Sequence, residues 1–202
     1  MELLPLAFSA GWTSGINAYA TVVILGLLGR FAGVEAIPAG LERTDVLIVA
    51  GVFALVEFAA DKIAYVDSIW DTISTFVRPV AGAVIGALLA GSNGDLVTLA
   101  LASVGGVTAL LSHLAKASLR LAINTSPEPV TNIGASLVGD ISVAGVAALA
   151  ALNPVPAAIL AGVLLLISLT VALLVMKRVR RGWRAFRLWL DPQARRPPIP
   201  AP

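Results

Sequence analysis

Long apolar runs, separated by short polar segments, constrain this chain more than any other feature of its sequence. Each run holds about 20 residues, enough for a helix rising about 1.5 Å per residue to cross the roughly 30 Å core of a bilayer. Of the 202 residues, 58% are hydrophobic and 13% are charged, whereas about a quarter are charged in soluble domains. Helices are favoured because lipid cannot satisfy free backbone groups. The pattern predicts an all-α, polytopic integral membrane helix bundle.

Six transmembrane helices are predicted, at residues 10–30, 45–62, 69–91, 96–115, 130–152 and 154–176. Residues 1–176 are therefore interpreted as a transmembrane domain and residues 177–202 as a basic amphipathic tail that ends in a proline-rich segment. Positive residues in short loops set orientation. One side of the six-span arrangement receives Lys62, Lys116, Arg120 and the tail, and the other receives Arg30 and Arg43. Both termini are thus predicted to be cytoplasmic.

The second and third spans resemble the fourth and fifth. Each pair runs from an aspartate through an apolar span to a lysine, a polar turn and a span with one charge about ten residues in. The similarity has two explanations, a duplicated hairpin in parallel orientation or chance similarity between helices rich in small residues.

The tail combines basic and aromatic residues. Cations beside anionic lipid and aromatic rings at headgroup depth are typical of an interfacial helix, and a simple topology anchor is the alternative. The bilayer, with anionic lipid at the tail, is the expected partner, and nucleic acid is not. The predicted lipid-surface residues are Lys177, Arg178, Arg180, Arg181, Trp183, Arg184, Arg187 and Trp189.

Two charged residues are predicted near the membrane midplane. A charge at the centre of a membrane helix costs about 2.5 to 3.5 kcal/mol on insertion scales. Arg78 and Asp140 each lie about ten residues into a span entered from the cytoplasmic side. The simplest hypothesis is that they form an ion pair across a helix interface.

Helical spacing extends each charge into a polar stripe, because residues three or four apart share a helix face. On the third span the stripe contains Asp67, Asp71, Ser74 and Arg78, and continues through Gly82 and Gly86, which allow close helix approach. On the fifth span it contains Glu128, Asn132, Ser136 and Asp140. The two stripes predict a charged cytoplasmic vestibule above the midplane pair.

Further ionisable residues lie near the same ends of the second and fourth spans. Glu57 and Asp61 are four residues apart and are assigned to the vestibule. Lys62, Lys116 and Arg120 are expected to be interfacial residues whose side chains extend to water. The lone histidine, His113, is a candidate proton relay, but a partly wet interfacial position is the favoured interpretation.

Composition argues against several classes of activity. The chain has no cysteine, which excludes disulfides, thiolate metal sites and cysteine nucleophiles. No constellation for catalysis, metal or cofactor binding is recognised, so an enzyme is not expected. The amino terminus carries Glu2 and no basic residue before its apolar run, unlike a cleaved signal peptide, so that run is expected to be retained.

Three segments, SGINAYATVVILGLLGRF, VEFAADKIAYVDSIWDTISTFVRPVAGA and NTSPEPVTNIGASLVGD, resemble a family of small multispanning bacterial membrane proteins catalogued as domain of unknown function four-one-two-six. The resemblance covers roughly residues 10–150. A proline is common in that family where this chain has Ala64. The resemblance implies a multi-pass protein of the bacterial cytoplasmic membrane and implies no substrate.

The leading functional hypothesis is a small transporter or channel for an ion or small polar solute, as a homo-oligomer, with a path gated by Arg78 and Asp140. The first alternative is a membrane structural or assembly protein in which the same pair fixes helix register. A further alternative is a lipid flippase or scramblase, in which the stripes would face lipid as an open groove.

Overall fold

The computed structural model describes residues 2–63, 65–124 and 129–190, and these residues form helices connected by turns. The predicted all-α class is confirmed. The helices are α1 (Leu3–Ile16), α2 (Ala18–Ala32), α3 (Thr44–Ala60), α4 (Val66–Ala90), α5 (Asp95–Ile123), α6 (Pro129–Leu152) and α7 (Pro154–Leu190).

Four of the described helices are long and apolar enough to cross a membrane. They are α4, α5, residues Val130–Leu152 of α6 and residues Pro154–Arg184 of α7, and α2 is a shorter apolar helix. The multispanning class of the protein agrees with the prediction. Pro79 lies inside α4 and does not end it; prolines are tolerated in membrane helices where neighbouring helices satisfy the freed backbone groups.

The first predicted span is not one helix. It divides at Asn17, which has an extended backbone with φ −150° and ψ 99°. From there α2 turns back, because Leu25 packs in one buried cluster with Leu6 and Ala10 of α1. Residues 3–32 therefore form a helical hairpin whose two outer ends lie at the same end of the bundle, and the predicted single span over residues 10–30 is wrong.

This hairpin also affects the predicted orientation of the termini. Phe8 and Trp12 of α1 pack against Ala161 and Leu165 of α7, so α1 begins beside the start of α7. The basic residues lie toward the other end of α7. The cytoplasmic placement of both termini came from counting positive residues on the two sides of a six-span arrangement, and the hairpin removes that arrangement as a ground for it.

Asn17 supplies the local reason for the break. Its side-chain Oδ1 accepts a hydrogen bond of 2.8 Å from the backbone N–H of Ala20 and so caps the start of α2. Asparagine is among the best residues at a helix N-cap because it satisfies a backbone donor that has no partner inside the helix. Apolar residues predominate on both sides of Asn17 over residues 3–32, which is why hydropathy alone merges the two helices.

Substitution Asn17→Ala should lower the free energy of unfolding by about 1 kcal/mol, the usual effect of removing an N-cap side chain. Asn17→Ser, which keeps an oxygen acceptor, should lose much less, because serine ranks close to asparagine at an N-cap. Both changes can be measured by denaturant titration of the purified protein in mixed micelles. Equal losses in the two variants would show that the cap does not hold the break.

Helix α1 lies at the centre of the bundle and packs against α4, α5, α6 and α7. Glycines allow α1, α4 and α5 to approach one another closely. A methyl group built on Gly11 of α1 would lie 2.5 Å from the carbonyl oxygen of Gly105 in α5, and one on Gly82 of α4 would lie 2.6 Å from the same oxygen. Backbones in such contact require residues without a side chain.

Helix α7 continues without a break through the predicted domain boundary at residue 176. The described side chains of the predicted lipid-surface set are exposed. The side chain of Trp189 and the proline-rich residues 191–202 lie outside the described residues.

Candidate functional site

The polar stripe of α4 faces the inside of the bundle. Asp67, Asp71, Ser74 and Arg78 are each at most 4% exposed. Arg78 lies midway along the helix and is therefore far from both of its ends. Because the stripe shares one helix face, it places four polar groups along the interior side of α4.

Arg78 is held by four groups, and Asp140 is not among them. Its Nη2 lies 2.5 Å from Glu57 Oε1 of α3, and its Nη1 lies 3.1 Å from Asp71 Oδ1. Nη1 also donates to His113 Nδ1 at 2.6 Å and to the carbonyl oxygen of Gly15 at 3.4 Å. The hypothesis of an Arg78–Asp140 pair is wrong, since Glu57 of α3 and Asp71 of the same helix occupy the guanidinium.

Asp140 instead pairs with Lys62. The ammonium lies 3.3 Å from Asp140 Oδ2 and 3.3 Å from the hydroxyl of Ser136, and both charged side chains are 21% exposed. This pair joins the turn after α3 to α6. This pair is more exposed to solvent than the Arg78–Glu57 pair, in which the Arg78 side chain is 1% exposed and the Glu57 side chain is 0% exposed.

A second group of ion pairs surrounds Lys116 and Arg120 of α5. Lys116 lies 2.6 Å from Asp61 Oδ2, and Arg120 lies 3.0 Å from the same oxygen and 2.9 Å from Asp67 Oδ2. The Lys116 and Arg120 side chains are only 13% and 4% exposed. The expectation that these two side chains extend to water is wrong, because buried carboxylates hold them inside the bundle.

His113 is also inside the bundle, at 0% exposure, so the predicted partly wet position is wrong. An arginine can only donate, and Nδ1 of His113 must therefore accept the bond from Arg78. Nε2 then carries the proton and donates to Thr75 Oγ1 at 2.9 Å, and that hydroxyl donates to the carbonyl of Asp71. These partners fix His113 as the neutral Nε2–H tautomer.

The cations also satisfy the end of the broken helix. The last carbonyls of a helix have no partner inside it and carry partial negative charge. At the end of α1, Arg78 donates to the carbonyl of Gly15 and Lys116 to that of Ile16, and one turn earlier Ser112 donates to the carbonyl of Trp12. Carbonyls at a helix end cannot be left without partners inside a membrane protein. Arg78 and Lys116 therefore stabilise the hairpin in addition to pairing with carboxylates.

These contacts join one group of residues, which we call the charged cluster. It comprises Glu57, Asp61, Asp67, Asp71, Arg78, His113, Lys116 and Arg120. Its carboxylates outnumber its cations by four to three. Two of its carboxylate oxygens, Glu57 Oε2 and Asp61 Oδ1, are buried without a hydrogen-bond partner, as is the donor Nε of Arg78.

A cavity of about 300 Å³ lies beside the charged cluster, between the end of α1 and helices α5, α6 and α7. At its polar side it reaches Asp61, Lys116, Arg120 and Asp140. The remaining walls are mostly apolar and include Leu119, Ile123, Leu164, Ile167 and Val171. Sites that bind small molecules have this character, with apolar walls and a few fixed polar groups.

The structure thus brings together most of the residues that the sequence singled out. Asn132 is buried and accepts from Arg120 at 3.5 Å, and Ser136 contacts Lys62. Glu128 lies outside the described residues. Sequence reasoning missed the carbonyls of α1 as partners and assigned Lys116 to water, although its spacing of three from His113 and four from Arg120 was the available signal.

Within the ranges that the structure describes, no three histidine, aspartate or glutamate side chains are grouped to hold a metal ion.

Comparison with known proteins gives one kind of match. A family model described as Domain of unknown function (DUF4126) matches residues 4–174. No curated protein and no solved structure matches the chain.

Proposed function

The chain belongs to the DUF4126 family, and, because that description names no activity, we propose from its geometry that it is a membrane transport protein for a small solute or ion. The observation that carries the proposal is the cavity that meets the charged cluster beside the turn of the α1–α2 hairpin. Interrupted helices inside a membrane protein are tolerated where they are buried or line a cavity, and transporters place substrate sites at such breaks.

The proposed path differs from the one that the sequence indicated. Arg78 is almost fully buried with Glu57, so we assign it to holding the α1–α2 hairpin. We assign solute contact to the residues at the cavity, namely Lys116, Arg120 and Asp140. Ionisable side chains inside membrane proteins typically mark such paths. No catalytic step is part of the proposal.

We place the end of the bundle that carries the basic segment of α7 in the cytoplasm. Six described basic residues follow the apolar part of that helix, at Lys177, Arg178, Arg180, Arg181, Arg184 and Arg187. An excess of lysine and arginine is typical of cytoplasmic segments. The cavity, which lies near Asp61 and Arg120 at that end, would then open toward the cytoplasmic half of the membrane.

A structural or assembly role is the second candidate, and the low solvent exposure of Arg78 and its carboxylate partners favours it. Buried ionic groups can fix register without taking part in a path. The two candidates differ in whether water reaches the cavity. A transport site must be wet from one side, and a purely structural cluster need not be.

A Ser136→Cys variant tests the proposal, because Ser136 lines the cavity and the native chain has no cysteine. We expect a charged thiol reagent to modify this cysteine at least about tenfold faster than a cysteine at the fully buried Ser9, which reacts only after local opening. In vesicles on a solid-supported membrane, solutes from a panel of inorganic ions, amines, amino acids and carboxylates should elicit currents that the reagent blocks.

Cysteine at the exposed Ser92 provides the upper limit for the labelling rate, and its modification should leave the currents intact. Labelling of Ser136→Cys as slow as that of Ser9→Cys, together with no current for any solute, would reject transport and favour the assembly role.

A further inference from the structure

We propose that the cavity binds a small organic cation with an apolar body, of the alkylammonium class, with its charged group at Asp140. This proposal deepens the transport function and rests on it for the claim that the cation is the transported solute. Binding itself does not depend on transport.

The charge balance around the cavity favours a cationic ligand. Among the residues that the structure describes, the charged cluster together with the Lys62–Asp140 pair contains five carboxylates, Glu57, Asp61, Asp67, Asp71 and Asp140. It contains four cations, Lys62, Arg78, Lys116 and Arg120. His113 adds no charge, because its hydrogen bonds fix the neutral tautomer.

A site with one excess carboxylate in low dielectric favours a ligand that brings one positive charge, since an unpaired buried charge is costly. Uncharged and anionic ligands would leave the excess in place or increase it. The sign of the ligand's charge follows from this balance.

Asp140 is the carboxylate that such a ligand can reach. It lines the cavity, is 21% exposed and has a longer ion pair, 3.3 Å, than the other aspartates held at 2.6 to 3.1 Å. Its Oδ2 receives the bond from Lys62, and no described side chain donates to Oδ1. Asp61, the other carboxylate at the cavity, is only 2% exposed, and its Oδ2 already contacts Lys116 and Arg120, so its partnerless Oδ1 is less accessible than Asp140.

The size and walls of the cavity distinguish an organic cation from other cations. At about 300 Å³ it lies at the small end of ligand pockets, which span about 300 to 1,000 Å³. Its walls at Leu164, Ile167 and Val171 offer apolar contact to a short alkyl chain. A hydrated inorganic ion or a bare proton would gain nothing from these walls.

The test is ligand-dependent thermal unfolding of the purified full-length protein in detergent. The probes are hexylammonium chloride, sodium hexanoate and hexanol, at one pH and at matched ionic strength, with sodium and ammonium chloride added separately. The three organic probes share one chain length, so hexanol reports non-specific partition into the micelle. Hexylammonium should raise the unfolding temperature to a saturating limit, and hexanoate and hexanol should not.

Two variants change the charge balance in opposite directions. Asp140→Asn leaves four carboxylates and four cations, so it should fold and should bind hexylammonium roughly tenfold more weakly or worse, as expected for loss of a buried charge partner. Lys62→Gln raises the excess to two carboxylates and should bind it more tightly. Asp95→Asn, at the exposed start of α5, is the matched control and should behave like the native protein.

Each other result overturns the proposal. Equal shifts with the three probes would show partition only, and a shift with hexanoate alone would show an anion site. A shift with sodium ions or with acid pH, and none with hexylammonium, would assign the excess carboxylate to an inorganic ion or a proton. If Asp140→Asn fails to fold, the Lys62→Gln variant still tests the site. An affinity for hexylammonium equal to that of the native protein would reject it.

Binding and transport can fail independently. Hexylammonium binding without solute currents would leave the cation site and reject transport. Currents elicited only by anions or neutral solutes would leave transport and reject the cation site.

Discussion

Replacement of Arg78 with methionine should lower the free energy of unfolding by about 3 to 5 kcal/mol, the cost of removing one partner from a buried ion pair. The change leaves Glu57 and Asp71 without their cation, and it removes the donor that the carbonyl of Gly15 uses at the end of α1. Methionine approximates the length of the arginine stem, so the lost charge and hydrogen bonds dominate the effect.

The measurement is denaturant unfolding in mixed micelles, with Arg43→Met as the matched control. Arg43 pairs with Asp45 at 2.6 Å, but these side chains are 66% and 63% exposed, and exposed pairs contribute about 0 to 1 kcal/mol. Adding Glu57→Gln to Arg78→Met should recover part of the loss, because it removes the stranded carboxylate. If Arg78→Met were no more costly than Arg43→Met, the charged cluster would not stabilise the fold.

Arg78→Lys should fall between the native protein and Arg78→Met. Lysine keeps the charge, but a single ammonium cannot reproduce the planar fork that contacts Glu57, Asp71 and His113 together. Stability equal to that of the native protein would show that charge alone, without the geometry of the guanidinium, holds the hairpin.

The second large effect is expected from a single methyl group. Gly82→Ala should lower the free energy of unfolding by about 1 to 3 kcal/mol, as overpacking does in closely packed cores. The new Cβ would lie 2.6 Å from the carbonyl oxygen of Gly105 and 2.7 Å from the Cβ of Ala109. Neither neighbour can rotate away, because one is backbone and the other is the first atom of a side chain, so α4 and α5 must separate.

Gly145→Ala is the matched control for this substitution. Gly145 lies within α6, and a methyl group built on it meets no atom within 4 Å. The same chemical change should therefore raise stability by about 0.5 to 1 kcal/mol, the difference between glycine and alanine inside a helix. Thermal or denaturant unfolding of both variants checks the opposite signs, and a gain in Gly82→Ala would contradict the close contact of α4 with α5.

Most of the helices could be predicted from the sequence because they depend on local properties of the chain. Runs of apolar residues bounded by glycine, proline and asparagine predict a helix wherever they occur, and the predicted spans from residue 45 onward correspond to α3 through α7. The inward face of α4 could also be predicted, because Asp67, Asp71, Ser74 and Arg78 share one side at helical spacing.

The partner of Arg78 could not be predicted in this way. Depth along a helix follows from counting residues, and it places Arg78 and Asp140 at similar levels. Which side chains meet at that level depends on how the helices are arranged around one another, and α4 packs against α1 and α5 whereas α6 packs against α1, α2 and α7. Glu57, one turn before the end of α3, therefore reaches Arg78 while Asp140 meets Lys62.

The sequence by itself determined that this is a helical protein with several apolar spans and with charges on interior faces, since composition and periodicity are read along one chain segment at a time. Only the tertiary structure decided that residues 3–32 form a hairpin, that Lys116 and Arg120 are buried, and that a cavity adjoins them. The physical reason is that a broken helix end and a buried charge are stable only with partners, and those partners come from helices distant in sequence.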